Sequence, residues 1–247
     1  MKTAVIAPLG LSPPVVTAGT DSARIPVTDL VIIATQDPQV LAGLELIRVG
    51  MSLNTPEVHI HAELLPFDDV TTIEQNFHLM ERAKQIILRE RAEHGCERVL
   101  LNVAGGRKNM CITLALIGQL MNVDGVFHIV NSDIRMFNQN LERLRSDIRR
   151  IADAAAWDEK LAIYREKEDQ FNHLLYPPRS EYQVVRLPTF PVDRVSMGDL
   201  IQALASDEIE SLPVNVRVIL ERHGILEKGK THYYLTDYGR RFIDAFL

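Results

Sequence analysis

Five short strand-like segments, four of them apolar runs, separated by segments of helical periodicity, constrain this chain more than any other feature. Thr3–Ala7, Leu30–Ala34, Val58–Leu64, Val99–Val103 and Val126–Val130 read as strands, Val58–Leu64 by its alternation and the others by their length and β-branched content. Between the second and third, Val40, Leu41, Leu44, Ile47 and Val49 recur at helical spacing from Pro38 to Leu53. From Thr71 to His94 one stripe holds Ile73, Phe77, Met80, Ala83, Ile87 and Leu88, with charges elsewhere and Gly95 as a stop. A further helix is expected over Asn109–Met121. Strands alternating with helices build βαβ units and a mostly parallel, Rossmann-like α/β sheet. Ligands of such sheets sit beyond the carboxyl ends of the strands, so the loops after strands one, two, four and five become the candidate site.

The remainder divides in two. Met136–His173 is read as helical, with Arg143, Arg145, Arg149 and Arg150 interleaved with acids, a solvated helix face. Tyr182–Leu187 is a late strand at the sheet edge, and Pro188 and Pro191 mark a boundary. The α/β unit thus spans 1–190. Residues 191–247 read as two helices, Met197–Ala205 and Pro213–His223, then a hairpin over Ile225–Leu235 with Gly229 at its tip, then a last helix, Asp237–Phe246, capped by Thr236. That order is a winged helix.

Composition narrows the function classes. The net charge is −6, without the basic excess by which duplex binders neutralise phosphates. From residue 190 onward seven cations face nine acids, so the tail is read as a dimerisation or lid element, with DNA contact not favoured. The two cysteines, Cys96 and Cys111, form neither a disulfide framework nor a CxxC pair. No signal peptide or membrane-length apolar run is visible, so the expected location is the cytoplasm. His59-x-His61 lies on one strand face without a third ligand at telling spacing, so no metal and no cofactor are expected.

Two loops carry chemistry. After strand one comes Leu9-Gly-Leu-Ser-Pro-Pro14, in which Gly10 permits close backbone approach and Ser12 precedes a helix whose first position is Pro13. After strand four comes Ala104-Gly-Gly-Arg-Lys-Asn-Met110: Gly105 and Gly106 free the backbone, Arg107 and Lys108 supply charge, and a helix begins at Asn109. Both loops suit an anion.

Gly10-Leu-Ser-Pro-Pro-Val-Val-Thr17 and Asn102-Val-Ala-Gly-Gly-Arg-Lys-Asn-Met110 resemble the first and the Gly-Gly-x-Lys-x-Met motifs of the CARF domain, the cyclic-oligoadenylate sensor of type III CRISPR systems. Pro66-Phe-Asp-Asp-Val-Thr-Thr72 is similar to the stretch before that family's middle helix. The resemblance covers most of 1–135 and departs after Thr17, where Gly19, Thr20 and Pro26 interrupt a helix that is usually longer. It implies a binding surface of Gly10, Leu11, Ser12, Gly105, Gly106, Arg107, Lys108 and Asn109. Gln36 and Asp37 after strand two and Asn131 after strand five are its neighbours by position.

Partner modules of CARF domains differ. The spacings Arg89…His94 and Arg217…His223 match a HEPN ribonuclease motif, but neither lies in a helical bundle of the kind that motif needs. Two readings are left: a ring nuclease that cleaves its own cyclic ligand, and a ligand-sensing transcription regulator. The first is preferred. An RNA phosphodiester carries its own nucleophile, the adjacent 2′-hydroxyl, so the protein need only align the attack and offset charge. Lys108 is the natural electrostatic partner and Ser12 the positioning hydroxyl. The expected ligand is cyclic tetraadenylate, whose twofold symmetry suits a homodimer. No general base is evident, so turnover is expected to be slow.

Overall fold

The computed structural model describes residues 1–22, 26–132, 134–189 and 194–245. Its main sheet comprises β1 (Thr3–Pro8), β2 (Asp29–Ala34), β3 (His59–Leu64), β4 (Arg98–Asn102), β5 (Gly125–Asn131) and β6 (Tyr182–Leu187). The order is β3-β2-β1-β4-β5-β6, parallel throughout except for β6, which runs antiparallel on β5. The chain therefore winds outward in one direction from β1 to β3 and in the other from β4 to β6. The reversal falls between β1 and β4, and the loops leaving a switch point of this kind open a crevice.

Alternation along the strands assigns the two faces. Val5, Ala7, Leu30 and Ile32 bury against α1 (Pro14–Ser22), α2 (Pro38–Asn54) and α5 (Ile134–Asp153). Ala4, Ile6, Val31 and Ile33 bury against α3 (Ile73–Ala92) and α4 (Lys108–Leu120). β1 and β2 are buried along their whole length, as a sheet covered on both faces requires. α3 begins in a reciprocal capping box between Thr72 and Gln75, and the chain leaves it through Gly95 at φ +65°.

One expectation needs correction. α1 is not interrupted at Gly19 and Thr20; it continues to Ser22, beginning at Pro14, one residue later than expected. Its buried Thr17 donates to the Leu175 carbonyl, so tertiary contact holds it. Pro26 follows residues 23–25, which lie outside the described set. The stretch from Met136 to His173 is helical as expected, and it is divided into α5, α6 (Trp157–Glu166) and α7 (Glu168–Leu175). One straight helix of that length would run about 57 Å and leave its apolar residues without a partner. The chain instead breaks at Ala154–Ala156 and Lys167 and folds back. Tyr164 stacks on Phe171 at 5.0 Å, both buried, and Lys167 donates 2.6 Å to Asp147 on α5.

The C-terminal elements are α8 (Arg194–Ala205), α9 (Val214–Arg222), β7 (Leu226–Lys228), β8 (Tyr233–Leu235) and α10 (Asp237–Asp244). β7 and β8 pair antiparallel, and Thr236 caps α10 by accepting from the Gly239 N–H at 2.9 Å. Leu204, Ile209, Leu220, Leu226 and Ile243 form their own core. The expected boundary at 190/191, Pro191 included, lies outside the described residues, as does the expected end of the last helix at Phe246. α10 meets the α/β unit: Arg241 donates 2.7 Å to Glu74, and the Phe77 and Tyr238 rings are 5.5 Å apart. Among the described residues no helix is long and apolar enough to cross a membrane.

Candidate functional site

The loops after β1 and β4 leave the switch point and close on each other. A Cβ on Gly10 would lie 2.9 Å from the Gly106 nitrogen, and one on Gly105 would overlap the Pro8 carbonyl oxygen. Gly106 adopts φ +78°, a backbone region that side chains disfavour. Asn102, fully buried at the end of β4, locks the arrangement: its amide donates 2.8 Å to the Val15 carbonyl and its oxygen accepts 3.0 Å from the Ala104 N–H. Beneath the turn, Cys111 donates to the Gly105 carbonyl at 2.6 Å. Burial pushes its thiol up to about 11, away from the thiolate form that nucleophilic chemistry needs.

Four loops line one pocket: Leu9, Gly10 and Leu11 from the first, Thr35 and Asp37 from the second, Asp68 and Asp69 from the third, Gly106 and Arg107 from the fourth. Of the expected residues, Gly10, Leu11, Asp37, Gly106 and Arg107 therefore share a wall. Asp37 also caps α2, accepting from the N–H groups of Gln39 at 2.8 Å and Val40 at 3.3 Å. Gln36 has a structural role. Its side chain donates 3.0 Å to Leu65 and its backbone N–H 2.9 Å to Phe67, pinning the β3–α3 loop beside the site. Asn109 donates to the Val70 carbonyl of the same loop. Asn131 lines a separate pocket with Phe137, Asn140 and His173. Ser12 is half-buried just ahead of α1, and Lys108, the first residue of α4, is exposed with no ion-pair partner among the described residues.

Asp68 and Asp69 were not among the residues expected from sequence. β3 is an edge strand, and only the strand order brings its loop over the switch point. Asp69 holds Arg107 at 3.1 Å, so of the two cations in the Gly-Gly-Arg-Lys turn one is already neutralised. A neighbouring groove, lined by Asp37, Pro38, Gln39, Arg145 and Arg149, places two α5 arginines beside the start of α2. Arg145 also pairs with Glu142 at 3.0 Å.

Residues 12–220 match the family described as CRISPR-associated protein NE0113. The chain belongs to this family. Residues 196–247 of this CRISPR-associated protein also match the family described as CARF-associated HTH, in agreement with the helix, helix, hairpin, helix order of its tail. No curated protein matches the chain. Three solved structures are similar to it at low identity. Csm6 of Enterococcus italicus, bound to cyclic hexa-2′-fluoro-hexa-dAMP, is 14% identical with a TM-score of 0.46, over 85% of this chain and 48% of that one. Can2 of Sulfobacillus thermosulfidooxidans, in complex with cyclic tetra-adenylate, is 12% identical with a TM-score of 0.39, over 99% and 64%. Protein VC1899 of Vibrio cholerae is 10% identical with a TM-score of 0.39, over 98% and 64%. The matches thus span less than two thirds of each of those chains.

Proposed function

We propose that this CRISPR-associated protein is a cytoplasmic ring nuclease. As a homodimer it binds cyclic tetraadenylate across two copies of the glycine-loop pocket and opens the ring by in-line attack of a ribose 2′-hydroxyl. The attacking oxygen forms a bond to phosphorus, the 5′-oxygen leaves and takes up a proton, and the product is a linear adenylate ending in a 2′,3′-cyclic phosphate. The observation that carries this reading is Lys108: an exposed cation without an ion-pair partner among the described residues, at the start of α4, directly after a turn packed backbone to backbone on the β1 loop. There it would offset charge on the phosphoryl oxygens, with Ser12 positioning the ribose phosphate. Two of the three pocket acids are already engaged, Asp37 in the α2 cap and Asp69 with Arg107, which speaks against a metal-assisted route. Exposed Ile112 and Leu116, one turn apart on α4, offer an apolar face by which a second copy could approach the same loops.

The CARF-associated HTH match favours a second reading, a ligand-controlled transcription regulator. The helix that would enter a groove, α9, speaks less for it. Its Arg217 pairs with Glu210 and sits 5.4 Å over the Tyr233 ring, while Val214 and Ile219 are exposed. Incubating the protein with cyclic tetraadenylate in EDTA and separating the products distinguishes the two. Linear products ending in cyclic phosphate support the nuclease; intact ligand together with ligand-dependent binding to promoter DNA supports the regulator.

A further inference from the structure

The amino ends of the strands, opposite the glycine loops, hold a second cluster of polar groups. Asp29 opens β2, Glu90 lies in the last turn of α3, His94 just beyond it, and Cys96 shortly before β4. Donor atoms of Asp29, Glu90 and His94 all lie within 4.8 Å of one another. His94 Nδ1 is 2.9 Å from Glu90 Oε2, and Cys96 Sγ is 3.6 Å from Asp29 Oδ2 and 3.8 Å from Glu90 Oε2. Gly95, at φ +65°, turns the chain between His94 and Cys96, and Cys96 stands beside the three-residue group on its Asp29 and Glu90 side.

The cluster is not satisfied as it stands. Asp29 is 8% exposed and Glu90 0%. The buried Glu90 Oε1 accepts no hydrogen bond; it faces Arg89 Nε, equally without a hydrogen-bond partner, at 3.6 Å, while Glu90 Oε2 faces His94 and Cys96. A fully buried carboxylate oxygen left this way calls for a partner. His94 sits at the mouth, its side chain 40% exposed, so the cluster opens to solvent on one side.

We propose that Asp29, Glu90, His94 and Cys96 bind a divalent transition-metal ion of the zinc class. Tetrahedral zinc, with sulfur at about 2.3 Å and oxygen at about 2.0 Å, separates its S and O ligands by about 3.5 Å. The two observed S···O distances, 3.6 and 3.8 Å, fall close to that edge length. The His94–Glu90 pair needs to open by only about 0.4 Å to reach the N···O edge of the same tetrahedron. The mixed nitrogen, oxygen and sulfur donor set selects against magnesium and calcium, which take oxygen ligands. Burial, with the Asp29 and Glu90 charges, pushes the Cys96 thiol up to about 12, so in the metal-free protein sulfur keeps its proton. Metal binding forms the metal–sulfur bond and releases that proton to solvent. The ion would tie the end of α3 to the starts of β2 and β4. It lies at the other end of the sheet from the proposed nuclease pocket and stands whether or not that reading does.

Cobalt titration of the chelator-stripped full chain tests the site. The expected result is one equivalent bound per chain, with visible bands of tetrahedral cobalt and a near-ultraviolet sulfur-to-cobalt charge-transfer band. Cys96→Ser removes the charge-transfer band, whereas Cys111→Ser keeps it. His94→Ala, altering a half-exposed side chain outside the core, weakens zinc binding against a competing chelator by about a hundredfold or more. It also abolishes the rise in melting temperature that zinc gives the parent chain. Absence of the charge-transfer band in the parent chain, or zinc affinity unchanged in His94→Ala, would overturn the proposal.

Discussion

Gly10 and Gly106 meet backbone to backbone: a Cβ on Gly10 would lie 2.9 Å from the Gly106 nitrogen and 3.0 Å from its Cα. The candidate pocket exists because two loops from the switch point can pack without side chains between them. The neighbouring Gly105 is tighter still, since a Cβ there would overlap the Pro8 carbonyl oxygen. Gly105→Ala is expected to push the β4–α4 turn off the β1 loop at a cost of about 1–3 kcal/mol. Thermal melting and ligand binding should fall together, while Gly198→Ala, where nothing lies within 4 Å of the new Cβ, should leave both unchanged.

Lys108→Ala should slow ring opening by about a hundredfold or more, since one transition-state charge contact is worth about 3 kcal/mol. Ser12→Ala should lower the single-turnover rate with ligand affinity largely kept. Cleavage by Lys108→Ala at the parent rate would remove the mechanism.

Asp69 competes with any anion for Arg107. The pair is partly exposed, with Arg107 63% open, so breaking it costs little, about 0.2–1 kcal/mol. Asp69→Asn should therefore tighten binding of the cyclic adenylate by up to about fivefold at low salt, an effect that fades as salt is added. Equilibrium titration at two ionic strengths measures it; weaker binding would mean that Asp69 serves the ligand directly.

If α4 forms the twofold interface, Leu116→Asp should convert dimer to monomer in light scattering at micromolar concentration, with and without ligand. Leu116 is 59% exposed, so the α/β core should keep its melting temperature.

Glu63 should make the fold acid-sensitive. Burial pushes its carboxyl up, but the Arg82 hydrogen bond and the charges of Arg82 and Arg89 outweigh burial, and the net shift is downward from 4.5. A carboxyl held lower in the folded than in the unfolded chain stabilises the fold above its ordinary value, and that contribution is lost as pH falls through the lowered one. Urea midpoints should drop as pH falls below 4.5, and Glu63→Gln, less stable at neutral pH, should show a shallower drop.

Much of the architecture was legible in the chain alone because it is governed by local periodicity. The β-branched runs marked β1, β2, β4 and β5 to within a residue or two, and Gly95 and Thr236 marked helix ends that left-handed geometry and capping then realise. The Gly-Leu-Ser-Pro and Gly-Gly-Arg-Lys loops pointed to the chemistry because glycine and cation placement is itself sequence. What the chain could not reveal by itself depends on which strands become neighbours. Asp68 and Asp69 enter the pocket only because β3 lies beside β2 at the edge and Gln36 draws the following loop inward. The charged stretch after β5 has helical periodicity throughout, yet it breaks into α5, α6 and α7 because Tyr164 and Phe171 bury only if the chain folds back over α2. Arg107 and Lys108 are equivalent cations in sequence; the fold neutralises the first with Asp69 and leaves the second exposed. Periodicity is set by near neighbours, whereas pairing and neutralisation are set by residues that only the folded sheet brings within a few ångströms.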